Sequence, residues 1–243
     1  MTKTVMLNSD EHRNLHVSNQ YSTELGDGVM WAQTFAAEFR NAQAHYPILF
    51  QKDSQTGQFM AVTLLGFEQG DNIFLDNGRW SAGYIPLMVQ RGPFSIGRKK
   101  DEQSDGPNRF INVDLDHPKV NEKVGQRLFD ELGTATPYLD RISGMLETLH
   151  VWHQDNEIFL KALQELNLLE QVTMDITLDD GTKGQLLGFY TINEKSLREL
   201  PDEKLIELHR RYYLEPIYMA IASVNKVRSL MERKVALKTA AVG

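Results

Sequence analysis

The chain has 243 residues, of which 41% are hydrophobic and 24% are charged, a composition typical of globular proteins rather than disordered ones. Its formal net charge of −7 disfavours nonspecific nucleic-acid binding, because such binding depends on clustered Lys and Arg side chains. The chain contains no cysteine, which excludes disulfides, thiolate metal sites and cysteine nucleophiles.

Two further features bear on the compartment. No apolar run approaches the roughly 20 residues needed to span a bilayer. The opening stretch MTKTVMLNSDEHRNL has one lysine and no apolar core, so we expect no signal peptide. We therefore expect a cytoplasmic protein with no membrane span.

The hydrophobic period changes in the middle of residues 31–50. Apolar residues first recur at helical spacing, which predicts a helix over residues 29–44. The bulky run opened by Pro47 then predicts a strand over residues 47–52. Because no glycine linker separates the two, we expect the helix to pack against the sheet that it feeds.

The next segments show strand patterns separated by turns. The predicted strands are residues 59–67, 73–75, 84–91, 110–115, 172–178 and 185–192. Asn77-Gly78 and residues 179–182 are typical of hairpin turns. Pro86 makes residues 84–91 an edge strand or a bend, since proline cannot donate to a β-ladder.

A long helix, or a pair of helices, is predicted to begin at Thr136-Pro137 and to end near Leu169, with its apolar positions along one broad stripe. The predicted helices that follow are residues 196–200, 202–211 and 215–237. Hairpins without strand–helix–strand alternation favour an α+β fold, with an antiparallel or mixed sheet built from hairpins. An N-terminal helix, a long central helical segment and C-terminal helices would pack this sheet. We predict one domain over residues 1–243, with a sub-boundary near residue 133 as the alternative.

Histidines and carboxylates on the predicted long helix provide a candidate metal site. His150, His153 and Glu157 are spaced i, i+3 and i+7, which places them along one side of a helix. The competing interpretation is a hydrogen-bonded His153 within the apolar stripe and two solvated neighbours. His153 and Asp155 also have the spacing of an iron site completed by His209. On a helix, however, they point about 200° apart, which disfavours iron.

Asp114, Asp116 and His117 form a second polar cluster. Alternating carboxylates on a strand share one face and could serve as an acid–base pair or hold a cation. A solvated strand end before the Pro118 turn is the simpler interpretation. The chain contains no G-x-G-x-x-G, P-loop or G-x-S-x-G sequence, so no nucleotide loop or nucleophile elbow is indicated, and we expect no cofactor.

These observations favour a noncatalytic binding protein that holds a small molecule or a protein segment in a cleft between the early sheet and the long helix. Trp80, Tyr84, Arg91 and Phe94 are the predicted ligand-binding residues, because amphipathic aromatic rings beside an arginine suit an anionic or planar ligand. The alternative is a metal-assisted enzyme that uses either His150, His153 and Glu157 or the strand with Asp114 and Asp116. A third hypothesis is assembly, in which the C-terminal helix pairs with a partner or forms a homo-oligomer.

Several longer stretches carry a family resemblance: EFRNAQAHYPILF (38–50), LLGF with DNIFLDNGRW (64–80), YIPLMVQRGPF (84–94), GQRLFDELG (125–133) and LLGFYTINEKSLRELPDE (186–203). Over about residues 7–230 the chain resembles the SapC-like family of bacterial proteins, named after association with a surface layer. The resemblance implies proteins of about this length, often encoded beside flavin-dependent tryptophan-halogenase-like proteins and TonB-dependent receptors. The resemblance carries over no catalytic residues to this chain. Beside such neighbours we expect an accessory or binding protein.

Overall fold

The structure is a computed structural model that describes residues 3–99, 108–177 and 183–242. The chain divides into two compact units, each built from segments that are separate in sequence, and the division falls within one long helix. The first unit contains Met1–Gly28, Leu75–Trp80 and Leu87–Val151, and the second contains Val29–Phe74, Ser81–Pro86 and Trp152–Gly243.

The described secondary structure follows in chain order. The strands are β1 (Thr4–Met6), β2 (His16–Val17), β3 (Trp31–Thr34), β4 (Ile48–Lys52), β5 (Phe59–Leu64), β6 (Leu75–Asp76), β7 (Arg79–Trp80), β8 (Phe94–Lys99), β9 (Asn108–Asp114), β10 (Val120–Asn121), β11 (Gln126–Arg127), β12 (Leu169–Thr177) and β13 (Lys183–Ile192). The helices are α1 (Ser9–His12), α2 (Phe39–Ala42), α3 (Leu87–Gln90), α4 (Pro137–Glu165), α5 (Glu194–Arg198), α6 (Asp202–Arg210), α7 (Leu214–Ser223) and α8 (Lys226–Val242). Two short helical turns lie at Thr23–Asp27 and Ala36–Glu38.

The second unit is built on a five-stranded sheet in the order β12-β13-β4-β5-β3. Ile48, Leu49 and Phe50 of β4 are all fully buried, as expected for a central strand covered on both faces. Its neighbour β5 pairs with it in register, with Ile48 opposite Thr63. The predicted strand over residues 47–52 is thereby confirmed.

The first unit contains smaller sheets around a separate apolar core. A three-stranded sheet has the order β1-β9-β8, a second has the order β10-β2-β11, and β6 pairs with β7. The core includes Phe94 of β8, Val113 of β9 and Ile142 of α4. The β6–β7 hairpin turns at Asn77 and Gly78, whose φ angles of 48° and 78° match the turn type predicted for this pair.

The α+β fold class is confirmed, and every strand pair in the described ranges is antiparallel. The long helix is confirmed as one continuous element, α4, although it ends at Glu165 rather than near Leu169. The hairpin of β12 and β13 is also confirmed. Its predicted turn, residues 179–182, lies outside the described residues.

The predicted helix over residues 29–44 is wrong in its first half. Trp31–Thr34 forms strand β3, which pairs with β5, and its side chains alternate between half-buried and buried positions. Only the turn at Ala36–Glu38 and helix α2 are helical. The edge of the sheet satisfied the backbone groups of β3, and this pairing outweighed the helical spacing of the aromatic residues.

Three other predicted elements differ from the structure. Of the strand predicted over residues 73–75, only Leu75 lies in a strand, β6. Residues 84–91 do not form the predicted edge strand, because helix α3 follows Pro86 directly. A proline just before or at the start of a helix is tolerated, since its missing N–H would have no partner within the helix. The strand β8 begins later, at Phe94. The predicted last helix is divided into α7 and α8 at residues 224–225.

The C-terminal helices belong to the second unit. In α7, Ile217 is fully buried, and in α8, Leu230 is 2% exposed. Lys234 of α8 forms an ion pair with Asp71 at 2.7 Å. Within the described ranges, no helix combines the length and the apolar character that crossing a bilayer requires.

A buried ion pair joins two separate segments of the first unit. The ammonium of Lys119 lies 2.7 Å from Asp27 Oδ1, and both side chains are at most 7% exposed. The same ammonium lies 4.1 Å from the centre of the Tyr21 ring, which adds a cation–π contact. Loss of the Lys119 ammonium would remove the neutralising charge from the buried Asp27 carboxylate, which would keep its hydrogen bond from the Ser22 N–H.

We therefore predict that Lys119→Met lowers the free energy of unfolding by about 3–5 kcal/mol, because the buried Asp27 carboxylate loses the positive charge beside it. Urea denaturation followed by circular dichroism measures the loss. The control is Lys161→Met on α4, whose ion pair with Glu165 is 75% exposed on the lysine side and should contribute less than about 1 kcal/mol. Equal losses for the two variants would contradict the prediction.

Candidate functional site

A groove of about 510 Å³ lies within the second unit, a volume typical of small-ligand sites. We call it the aromatic groove. Its walls come from the segment around the Ala36–Glu38 turn, the second half of α4 and the connection between α6 and α7. Among its lining residues are Arg40, Trp152, Asn156, Arg211, Tyr212 and Tyr213.

Helix α4 contributes one wall through residues on a single face. Trp152, Asn156 and Phe159 are spaced i, i+4 and i+7, so they project to the same side of the helix. Phe159 is 1% exposed and anchors this wall. It makes edge-to-face contacts with Phe39 of α2 at 6.2 Å and with Tyr213 at 5.1 Å. The aromatic contacts thus fix the positions of all three walls.

Asn156 is the most deeply buried polar side chain of the groove, at 4% exposed. Its Oδ1 accepts the backbone N–H of Ala36 at 2.9 Å. Because an N–H can only donate, this bond identifies the oxygen of the amide and places its NH₂ on the other side. No acceptor for that NH₂ occurs among the residues that the structure describes, and Asn156 lines the groove.

Tyr212 enters the groove from the end of α6. Its backbone N–H donates to the carbonyl of His209 at 3.0 Å. The next N–H, of Tyr213, donates to the carbonyl of Leu208 at 2.9 Å. These two bonds are the Schellman motif, which ends a helix with one residue in the left-handed conformation.

The left-handed position of this motif is usually glycine, yet here it is a tyrosine with φ of 58°. The same motif ends α4, where the left-handed residue is Asn167, a type that tolerates this conformation. The Tyr212 side chain is 85% exposed, so packing of the ring does not offset the backbone cost. A strained residue with an exposed aromatic ring at a groove is a candidate functional residue.

The charges of the aromatic groove are balanced. Arg40 pairs with Glu215 at 2.7 Å. The guanidinium of Arg211 lies 4.7 Å from the centre of the Tyr213 ring and 3.6 Å from Glu207. Asp155 lies on the same wall as Asn156 and also lines the groove. Each guanidinium therefore already has a carboxylate partner.

Two other grooves occur in the second unit. One, of about 420 Å³, lies between β5 and α4 and includes one aromatic ring, Phe59. The other, of about 500 Å³, is lined by the end of β13, α5 and residues 221–225. Among the described residues that line them, neither groove has a cluster of aromatic rings or a buried side-chain amide.

The predicted ligand-binding residues lie in different units. Trp80, Arg91 and Phe94 belong to the first unit, whereas Tyr84 belongs to the second. Arg91 Nη1 donates to the carbonyl of Phe94 at 2.6 Å, its Nε is buried without an acceptor in the described residues, and the Phe94 ring is fully buried. The Trp80 ring packs edge-to-face on Tyr21 at 5.7 Å.

Tyr84 donates from its hydroxyl to the buried carboxylate of Glu38 at 2.7 Å. Burial and the Glu38 charge raise the pKa of Tyr84 above its usual value, so the phenol stays protonated and donates this bond. Thr34 donates a second bond to the same carboxylate at 2.6 Å. The assignment of Trp80, Tyr84, Arg91 and Phe94 to a ligand stays a prediction.

The predicted metal trio lies on α4. His150, in the first unit, is 3.2 Å from a guanidinium nitrogen of Arg98, whereas His153 lies 3.6 Å from Glu157 with both side chains more than half exposed. Over the described ranges, no group of three His, Asp or Glu side chains is placed to hold a metal ion. His153 and Asp155 lie two positions apart on a helix, as the argument against an iron site requires.

The side chains of Asp114, Asp116 and His117 bond to backbone groups. Asp114 accepts the N–H of Asp116 at 3.1 Å, and Asp116 accepts that of Lys3 at 2.9 Å. Burial and the Lys119 charge lower the pKa of His117, which favours the neutral ring whose Nδ1 accepts the Lys119 N–H at 3.1 Å. These hydrogen bonds to the backbone give the three side chains a structural role.

The aromatic groove was not predicted from the sequence. Asn156, Tyr212 and Tyr213 were not among the candidate site residues. Two adjacent tyrosines after a helix that ends in Arg210 and Arg211 were the available signal. This signal becomes informative only with the left-handed backbone of Tyr212, and a tyrosine in a sequence does not indicate that conformation.

A family model described as SapC matches residues 7–230. The chain belongs to the SapC family. The match covers nearly the whole chain and includes every residue that lines the aromatic groove. No curated protein and no solved structure matches this SapC chain.

We predict that Tyr212→Gly stabilises the protein by about 0.5–1 kcal/mol, because glycine adopts the left-handed conformation without the cost that a side chain adds. The exposed ring contributes little packing to offset this gain. Thermal denaturation measures the change. Asn167→Gly is the matched control at the other Schellman motif, and a smaller gain is expected there because asparagine already tolerates this backbone. A loss of stability in Tyr212→Gly would show that the ring packs in the folded state.

Proposed function

We propose that this SapC-family protein is a noncatalytic binding protein and that the aromatic groove is its ligand site. The observation that carries the proposal is the exposed Tyr212 ring, held in a left-handed backbone conformation at the edge of the groove. A ring that neither packs in the core nor relieves backbone strain is best explained by contact with a ligand.

The composition of the groove supports this proposal. Half-buried Trp152 and Tyr213 and exposed Tyr212 offer apolar faces, and Asn156 adds hydrogen-bond donors. Ligand sites typically combine an apolar lining with a few placed polar groups. Stacking on an aromatic ring contributes about 0.5–1.5 kcal/mol beyond the area that is buried.

The accessory part of the proposal comes from the resemblance. SapC-like proteins are expected to act beside halogenase-like proteins and TonB-dependent uptake systems. A binding protein without its own reaction fits such a role, because it would hold a ligand or a segment of a partner protein. The aromatic groove would be the binding site for the ligand or for the segment of the partner protein.

The test uses fluorine NMR on protein labelled with 5-fluorotryptophan. The chain has three tryptophans, so three resonances are expected, and Trp152→Phe identifies the one from the groove. Titration with N-acetylphenylalaninamide should shift the Trp152 resonance, with millimolar affinity for so small a ligand. Tyr212→Gly should weaken this response while keeping the fold.

The other two tryptophans make the experiment decisive. Trp31 of β3 serves as an internal reference in the second unit. Trp80 reports on the predicted site with Arg91 and Phe94 in the first unit. A shift of Trp80 alone would move the ligand site to that set, and no shift of Trp152 with folded protein would overturn the proposed groove.

Elemental analysis separates this proposal from the alternative of a metal-assisted enzyme. We expect purified protein and His153→Ala to have the same metal content, because His153 and Glu157 are exposed and lie 3.6 Å apart without a third ligand in the described residues. Stoichiometric iron, zinc or manganese that is lost in His153→Ala would favour the enzyme instead.

A further inference from the structure

In addition to its aromatic rings, the aromatic groove is lined by one deeply buried polar side chain, Asn156. Asn156 is 96% buried, which follows from its 4% exposure, and its NH₂ has no acceptor in the described part of the chain. This nitrogen is not one of the fully enclosed side-chain atoms that lack a partner in the described residues, so water in the groove can reach it. A ligand that displaces this water must supply an acceptor, because a donor that loses its water without a new partner is unfavourable. The groove therefore favours a ligand with an oxygen acceptor beside its rings.

The charge pattern indicates that this acceptor is neutral. The two arginines and two carboxylates that line the groove sum to zero charge, so the groove has no net attraction for an anion. Arg40 lies 2.7 Å from Glu215, and Arg211 lies 3.6 Å from Glu207. A ligand carboxylate would also lie in a groove lined by Asp155 and Glu215. Like charges at short range are repulsive, which makes a carbonyl a better partner than a carboxylate.

A peptide group fits both kinds of polar atom in the groove. Its carbonyl can accept from the Asn156 amide, and its N–H can donate to a carboxylate such as Asp155. An aromatic side chain on the same residue can stack on Trp152 or Tyr212. A free aromatic amide shares part of this chemistry, but it lacks the flanking peptide groups.

We infer that the aromatic groove binds a peptide segment of a partner protein through one aromatic residue, with Asn156 Nδ2 donating to a peptide carbonyl. This inference rests on the proposed function and names its ligand class. Tyr212 and Trp152 hold the ring of that residue. Asn156 selects the neutral carbonyl next to it.

Four probes test the ligand class through the fluorine resonance of Trp152. They are the blocked pentapeptide acetyl-Gly-Gly-Phe-Gly-Gly-amide, N-acetylphenylalaninamide, phenylacetate and toluene. The pentapeptide should bind most tightly, followed by the single-residue amide. Toluene, which has the ring without an acceptor, should bind about five-fold more weakly than the amide, as expected for one hydrogen bond. Phenylacetate, an anion, should also bind more weakly than the amide.

Asn156→Asp tests the role of the donor directly. The substitution keeps an oxygen that can accept the Ala36 N–H and removes the NH₂. Binding of the pentapeptide should fall at least five-fold, whereas that of toluene should be nearly unchanged. The control is Ala37→Asp, which adds the same charge at an exposed position of the groove and keeps the Asn156 amide. It should weaken peptide binding less.

The outcomes separate this inference from the proposed function. If toluene binds as tightly as the amide, the groove remains a ligand site but the carbonyl requirement is wrong. If phenylacetate binds most tightly, the ligand is an anion; if the pentapeptide binds more weakly than the single-residue amide, the ligand is a small molecule. Either result overturns the inference. Should Asn156→Asp fail to fold, the order of the four probes on the unmodified protein decides.

Discussion

The hydrogen bond from the Ala36 N–H to Asn156 Oδ1 is the constraint on which the candidate site depends. At 2.9 Å it joins α4 to the short turn Ala36–Glu38 within the second unit. The first N–H groups of a helical turn have no partner within the turn, and this bond satisfies one of them from outside. It also fixes the amide orientation, so that the NH₂ of a nearly buried side chain is left for the groove.

The second feature of the site is the unfavourable left-handed backbone conformation of Tyr212, which lies where the groove meets solvent. A Schellman motif with glycine would end α6 equally well, and the motif at Asn167 shows a residue type that adopts this backbone more readily. A tyrosine there costs about 1–2 kcal/mol of backbone free energy without burying its ring. Strain of this size persists where the surrounding structure enforces it, and it is often found at functional sites. The ring and the buried amide thus indicate the same groove by independent arguments.

The secondary structure was predictable where local patterns and tertiary pairing agree. Helix α4 keeps an apolar stripe throughout its length, and β4 is a bulky run that suits a central strand. Residues 31–34 show the opposite case. Their aromatic spacing is helical, but in the structure they form a strand that pairs with β5. A single sequence does not show which segment will pair with the edge of a sheet.

The candidate site was much harder to predict than the fold. Its walls come from residues 36–41, 152–159 and 211–216, and only the folded chain brings these segments together. The predicted ligand-binding residues are instead near one another in the chain, as Trp80, Arg91 and Phe94 are. Their proximity in sequence gives no information about burial, and the Phe94 ring is fully enclosed in the core of the first unit. The left-handed backbone of Tyr212 was equally hidden, because tyrosine is an unusual choice for it.

The most direct measurement of the central claim is the side-chain amide resonance of Asn156 in a ¹⁵N–¹H correlation spectrum. This resonance is assigned by its absence in Asn156→Asp. On addition of the blocked phenylalanine pentapeptide, one Nδ2 proton should shift downfield and exchange more slowly with solvent, while the Ala36 N–H keeps its position. An Asn156 resonance that stays unchanged at saturating peptide would contradict the account.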